Sequence, residues 1–228
     1  MAKPKITLTA HDHARISAAV TAAESHSCGE ITTILADQSD SYHDITLIWS
    51  ALVALAALVA LSIAPNVYLG AVDRLMGWWG SHWQASSLFA LATGVVTVKF
   101  AAMWLLLRWR WLRLALVPGP IKHARVRARA VTCYRIATDQ RTAAATGILI
   151  YLSRAERRAE IVADPAISAR VPPEVWGTAM ASLLDHIRQD RLADGLIAAI
   201  GQAGAVLAEH FPGHEDDINE LPDRLIEV

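Results

Sequence analysis

The chain has 228 residues, a formal net charge of −1, 54% hydrophobic residues and only 19% charged residues. An ordinary soluble domain is about half apolar and a quarter charged, so the apolar excess must be concentrated in particular segments. The near-neutral charge excludes a global attraction to nucleic acid. The two cysteines, Cys28 and Cys133, lack the spacing of a zinc site or a redox motif, which predicts reduced structural thiols.

The first elements are a helix and a strand. Thr9 followed by Asp12 is a capping-box pattern, and Ile16 and Val20 recur at helical spacing. The next apolar segment, EITTILA at residues 30–36, is rich in β-branched residues and predicts a strand. The first soluble portion, residues 1–44, therefore contains one helix and one strand.

Two long apolar segments follow. Residues 45–64 carry no charge and match the length that a helix needs to cross a bilayer. Residues 85–107 form a second such segment, which Lys99 alone interrupts. We predict two transmembrane helices joined by a short external loop at residues 65–84. The loop holds Trp78, Trp79 and Trp83, and Trp104, Trp109 and Trp111 mark the other interface.

The basic residues predict the orientation. Residues 108–121 form a basic juxtamembrane segment, and Arg108, Arg110 and Arg113 are predicted to meet lipid headgroups. Under the positive-inside rule this segment is cytoplasmic, and two spans return the amino terminus to the same side. Both termini are therefore predicted to be cytoplasmic. We do not expect nucleic acid as a partner, because the basic run lies directly beside a span.

The second soluble portion is residues 122–212. It begins with helical character and continues with two strand segments, GILIYLS and AEIVA, predicted to pair as a hairpin. Glu156, Arg157 and Arg158 read most simply as its charged turn. Two amphipathic helices follow, the first entered at Pro172 and the second beginning after Gly195. The acidic tail, residues 213–228, is expected to dock loosely.

The two soluble portions complement each other, because residues 1–44 are too few to bury a core alone. Together with residues 122–212 they predict one layered α/β domain with a small mixed sheet. The transmembrane hairpin is then an insertion into this domain, which explains why no linker separates its first strand from the first span.

Three stretches of the chain resemble a known family. The family is that of the TPM domain, and the segments that look like it are SCGEITTILADQSDSYHDITLIW, TGILIYLSRAERRAEIVADPAISARVPPEVW and the later ADGLIAAIGQAGAVLAEHFP. That domain occurs in thylakoid-lumen phosphatases, photosystem II repair factors and many bacterial envelope proteins, and this chain is most similar to the small bacterial two-span branch. The resemblance implies an α/β sandwich around a small mixed sheet, and the predicted topology places this domain at the bacterial inner membrane. The resemblance also implies either phosphatase activity with divalent-cation binding or an accessory role in a membrane complex.

The candidate chemistry is a carboxylate cluster. Asp37, Asp40 and Asp44, with His43, follow the first strand, and Asp164 follows a later one. Several carboxylates on loops can bind calcium or magnesium, the only cofactors that we predict. The alternative is that these acids are solvated loop residues and helix caps. His11 and His13 flank Asp12 and could chelate a metal, although a surface helix face explains them more simply.

Lys99 is costly in a span unless it snorkels to the headgroups or finds a partner. The first span offers no acid, so the alternatives are snorkelling and contact with another membrane protein or a second copy; nearby Gly94 and Thr97 would permit close helix approach.

The function that we predict is an accessory or scaffold factor for an inner-membrane protein complex. The alternative is a divalent-cation-dependent phosphatase at the cytoplasmic membrane face.

Overall fold

The computed structural model describes residues 8–76, 84–137, 146–213 and 223–228, and it divides into two compact units. The described parts of Met1–Ser41 and Gly119–Val228 form one unit, here called the α/β unit. Tyr42–Pro118 forms the other, here called the helical unit. The α/β unit is therefore built from two segments that are separated in sequence.

The elements follow in chain order. They are α1 (Ala10–Glu24), β1 (Glu30–Ala36), α2 (His43–Ile63), α3 (Pro65–Met76), α4 (Ala85–Leu106), α5 (Arg110–Leu116), α6 (Gly119–Ala137), β2 (Gly147–Ser153), β3 (Arg158–Ala163), α7 (Pro165–Ser168), α8 (Pro173–Arg188), α9 (Leu192–His210) and β4 (Ile226–Glu227). The chain is thus a mixed α/β protein that is mostly helical.

The capping box predicted at the start of α1 is present. The backbone N–H of Asp12 donates to Thr9 Oγ1 at 3.2 Å, and the backbone N–H of Thr9 donates to Asp12 Oδ2 at 3.0 Å. Two of the otherwise unpaired donors at the helix start are thereby satisfied.

The described strands form one mixed sheet in the order β3-β2-β1-β4. β1 pairs with β2 in parallel, from Glu30 opposite Gly147 to Ala36 opposite Ser153. β2 pairs with β3 as the predicted antiparallel hairpin. The predicted strand partnership across the intervening helices is confirmed, as is the small mixed sheet.

Alternate strand residues enter two apolar clusters, one on each face of the sheet. Ile31 and Leu35 of β1 pack with residues of α1, α8 and α9, whereas Ile34 and Ala36 pack with α6. The stripe on α6 consists of Val126, Ala130 and Tyr134. Helices therefore cover both faces, and this explains why β2 is apolar throughout.

The end of the chain differs from the prediction of a loosely docked tail. Ile226 and Glu227 form an edge strand parallel to β1, and Leu225 is buried. The backbone N–H of Asp37 donates to the Val228 carbonyl at 2.9 Å, and the N–H of Val228 donates to the Leu35 carbonyl at 3.0 Å. A strand of two residues has no periodicity of its own, so the sequence pattern did not predict it.

The helical unit contains α2 to α5, and its two long helices, α2 and α4, pack against each other. The predicted loop at 65–84 begins with α3, and the predicted basic segment at 108–121 contains α5. Among the described residues, α2, α4 and α9 are long and apolar enough to cross a membrane. α9 belongs to the core of the α/β unit instead.

Candidate functional site

Charged side chains meet where the parallel strands end. Because β1, β2 and β4 run in the same direction, their carboxyl ends share one edge, here called the C-terminal edge. Ligand sites of open α/β sheets form at such edges. Asp37 directly follows β1 and Arg154 directly follows β2, which places both side chains there. We therefore take the C-terminal edge as the candidate polar site.

Arg154 links two strands at this edge. Its guanidinium Nη1 lies 3.6 Å from Asp37 Oδ1, and Nη2 lies 3.0 Å from Glu227 Oε2. The other oxygen of Glu227 lies 3.2 Å from His13 Nε2 on α1. The ion pairs hold β4 in place beside β1. Sequence reasoning missed Arg154, although parallel pairing of β1 with β2 puts it at the same edge as Asp37.

Glu156 lies in the predicted charged turn between β2 and β3, and its side chain is buried there. Its carboxylate accepts hydrogen bonds from the backbone N–H of Ser39, at 3.2 Å, and from the hydroxyl of Ser153. The Ser39 hydroxyl in turn lies 3.1 Å from the Tyr151 hydroxyl. Burial raises the pKa of Tyr151 above its ordinary value, so its phenol keeps its proton to higher pH than an exposed tyrosine does. The cluster ties the loop after β1 to the β2–β3 turn.

The four carboxylates predicted as metal ligands do not all come together. Asp37 is paired with Arg154, and Asp40 Oδ2 lies 2.9 Å from Arg125 Nη1. Asp44 is in the first turn of α2, in the helical unit, immediately after His43.

Asp164 lies at the opposite end of the sheet. Because β3 is antiparallel to β2, it ends where β2 begins, and the backbone N–H of Asp164 donates to the Gly147 carbonyl at 3.0 Å. A seven-residue strand separates the two ends, roughly 20 Å at about 3.3 Å per residue. The described residues include no group of three or more His, Cys, Asp or Glu side chains placed to hold a metal ion. A divalent-cation site stays a prediction.

A second carboxyl group with an altered environment lies at the end of α1. Burial is the main cause that raises the pKa of Glu24 to about 8, and the nearby charges of Glu30 and Asp223 act in the same direction. The backbone N–H of Ile31 opposes this effect by donating to Glu24 Oε1 at 2.7 Å. Asp223 also accepts from the Thr21 hydroxyl at 2.5 Å. No sequence pattern predicted that Glu24 and Asp223 would lie close together, because the two residues are far apart in the chain.

The helical unit has a different surface, dominated by exposed apolar side chains. α2 buries residues along one face, including Thr46, Ser50 and Ala54, whereas no residue of α4 is buried. The exposed large apolar side chains of this unit are Leu47, Ile48, Leu52, Leu55, Leu58, Val59, Ile63, Val67, Leu88, Phe89, Val98, Phe100, Trp104, Leu105, Leu106, Trp109 and Trp111. An exposed apolar surface of this extent indicates contact with lipid or another protein.

Tryptophan and arginine lie together at one end of this surface. Trp49 Nε1 donates to the Leu116 carbonyl at 3.2 Å, and the Arg108 guanidinium lies 5.5 Å from the centre of the Trp104 ring. Arg108 and Arg110 are exposed, whereas Arg113 is half-buried. This arrangement is typical of a headgroup interface. Trp78, Trp79 and Trp83, predicted at the other interface, lie outside the described residues.

No family model matches the chain, and no curated protein matches it. One solved structure with a similar fold is the NMR structure of the BA42 protein from the psychrophilic bacterium Bizionia argentinensis. The two chains share 19% identity with a TM-score of 0.57, and the match covers 100% of each. At this identity the likeness concerns the fold alone.

Proposed function

We propose that the chain is a membrane-anchored accessory or scaffold protein of a bacterial inner-membrane complex, with a cytoplasmic TPM-like domain split by a transmembrane hairpin. The observation that carries this proposal is the exposed apolar surface of α2 and α4. The two helices pack on each other and leave their remaining apolar side chains uncovered. A bilayer covers such a surface wherever no other membrane protein contacts it.

The proposed orientation places the α/β unit and both termini in the cytoplasm. It rests on the basic residues after α4 and on the exposed Arg108 and Arg110 beside Trp104 and Trp109. Positive charge flanking a span is retained on the cytoplasmic side. The discontinuous α/β unit supports an inserted hairpin, because its two segments share one sheet.

A non-enzymatic role agrees with the C-terminal edge. The acids there are engaged in ion pairs with Arg154 and Arg125, and Glu156 is used to hold two loops together. Such pairing favours a structural role for these carboxylates. The enzyme alternative is tested directly by assaying the full chain in detergent with a generic phosphoester and a divalent cation. Turnover that Asp37→Ala abolishes would support the phosphatase instead.

Reporter fusions test the proposed topology. A reporter fused after Val228 should behave as cytoplasmic, and one inserted at Gly80 as periplasmic. The chain should also stay with the membrane after alkaline washing. Periplasmic activity of the terminal fusion, or release by the wash, would contradict the proposal. The scaffold role further predicts that the chain migrates within a larger assembly on native gels of mild-detergent extracts, and migration as an isolated chain would argue against it.

A further inference from the structure

Lys99 is the one charged residue of α4, and its side chain is exposed. It lies seven residues before the end of the helix at Leu106 (106 − 99 = 7), or about 10 Å from that end. If α4 spans a bilayer, as the proposed function holds, the ammonium group lies well inside the hydrocarbon region. The inference below rests on that proposed function.

Snorkelling is a poor solution for Lys99. Side chains on a helix tilt toward its amino terminus, and the nearer end of α4 is its carboxyl terminus. The Lys99 side chain therefore starts out directed toward the middle of the helix, about 21 Å from the far end at Ala85 (99 − 85 = 14 residues). To reach the nearer headgroups it would have to fold back along the helix. A lysine held in the apolar region is stabilised most effectively by a partner of opposite charge.

The apolar part of α2, the helix beside α4, does not carry that partner, since its one acid, Asp44, lies in the first turn at the end of the helix. The sequence from Ile45 to Ile63 in α2 contains no charged residue. Two hydroxyls in the first turns of α2 already donate within their own helix: Thr46 to the Tyr42 carbonyl at 3.3 Å, and Ser50 to the Thr46 carbonyl at 2.8 Å. A hydroxyl oxygen can accept a hydrogen bond from Lys99, but it does not neutralise the charge.

A second copy of the chain does not supply the partner either. Its α4 has the same lysine and no acid, and the apolar part of its α2 has no acid. Two-fold pairing through this face would bring two lysines together, which is unfavourable in a medium of low dielectric constant. The occupant must therefore come from a different protein.

We propose that Lys99 pairs with a carboxylate in a transmembrane helix of another membrane protein, which packs beside α2 and α4. The face of α4 that carries Lys99 also carries Val95 and Met103, four residues to either side, and both are half-buried. Lys99 itself is exposed between these two half-buried residues, so a third helix can contact both α4 and the charge. The partner is recognised by an Asp or Glu within its apolar span.

Reconstitution tests the pairing. The full chain, labelled with a donor fluorophore, is inserted into phosphatidylcholine vesicles with acceptor-labelled synthetic leucine-rich transmembrane peptides. One peptide carries a single central Glu and its matched control a central Gln. We expect energy transfer to show at least tenfold tighter association with the Glu peptide, loss of this preference in Lys99→Leu, and its retention in Lys99→Arg.

Three outcomes would overturn the inference. They are equal association with the Glu and Gln peptides, a preference that survives in Lys99→Leu, and energy transfer between copies of the chain that depends on Lys99. Alkaline washing of the vesicles keeps the two proposals apart. A chain that does not remain in the vesicles contradicts membrane anchoring itself, whereas an inserted chain with no Glu preference contradicts only the partner that Lys99 requires.

Discussion

α4 and α9 are both long apolar helices, but they differ in how far the rest of the protein buries them. α9 has 19 residues and packs against α1 and α8, whereas α4 has 22 residues and buries none of them. The buried residues of α9 are Leu192, Ala193, Gly195, Leu196, Ala199, Ile200, Ala203, Gly204 and Leu207. Length and apolar composition alone therefore do not distinguish a core helix from a membrane-spanning helix. The distinction depends on whether other elements of the protein pack over its apolar side chains.

Glycine marks the difference at the level of single atoms. A Cβ added at Gly204 of α9 would lie 2.5 Å from Ala23 Cβ and 3.0 Å from Ala23 Cα on α1. A Cβ added at Gly94 of α4 would meet nothing within 4 Å. α9 therefore has a glycine where α1 approaches too closely for a larger side chain, whereas the described structure has free space around Gly94. In a membrane, lipid or a partner helix would occupy that space.

The largest effect that separates the two helices is expected from leucine truncation. Leu196 of α9 has no exposed surface, whereas Leu105 of α4 is 62% exposed. Leu196→Ala should lower the free energy of unfolding of the α/β unit by about 2 to 5 kcal/mol, because it leaves a cavity. Leu105→Ala should change it by less than about 0.5 kcal/mol. Thermal unfolding of the full chain in mild detergent measures both changes. Equal losses of unfolding free energy in the two variants would contradict the contrast between a buried α9 and an exposed α4.

A smaller effect is expected from the two glycines. Gly204→Ala forces α1 and α9 apart, which typically costs about 1 to 3 kcal/mol, although alanine recovers up to about 1 kcal/mol of helix propensity. We expect a net loss of about 1 to 2 kcal/mol, or roughly 2 to 4 °C in Tm for each kcal/mol in a unit of this size. Gly94→Ala, the matched control, should be neutral or slightly stabilising. Destabilisation by Gly94→Ala alone would mean that α4, not α9, is the tightly packed helix.

The smallest effect is a pH dependence confined to the α/β unit. The folded protein raises the pKa of Glu24 from 4.5 to about 8. The fold therefore favours the protonated carboxyl group. The resulting contribution to the free energy of unfolding is complete below pH 4.5 and is lost as the pH rises through 8.

Glu24→Gln keeps an acceptor for the Ile31 N–H and cannot ionise. The variant should match the wild type at pH 5 and have the higher Tm at pH 9, by a modest amount because Glu24 is partly exposed to solvent. The comparison is made by thermal unfolding at both pH values. An unchanged slope of Tm against pH in the variant would show that another group causes the dependence.

The sheet was predictable because its signals are local and periodic. The β-branched segment at 30–36 and the apolar segment at 147–153 each have the length of a strand, and neither could bury its backbone alone. Ile31 and Ile34 face opposite sides of the sheet, as alternation requires. What the pattern did not supply was β4, whose two residues are too few to show a period.

The site was less predictable because it depends on strand direction and on long-range contacts. Asp37 and Asp164 both follow strands, but β3 runs against β1 and places them at opposite ends of the sheet. Glu156 lies in a turn, as predicted, but its burial and its hydrogen bond from the Ser39 N–H depend on a residue far away in the sequence. Glu24 and Asp223 come together only through the tertiary fold. In each case the residue type was visible in the sequence, but its environment was not.

The central claim is that lipid covers α2 and α4, while protein covers α9. The most direct measurement is photolabelling of native membranes with an apolar carbene reagent that reacts from within the bilayer, followed by mapping of the labelled peptides. If α2 and α4 lie in the bilayer and α9 does not, we expect label in residues 45–63 and 85–106 and none in residues 192–210. Label in α9, or its absence from α4, would contradict the central claim.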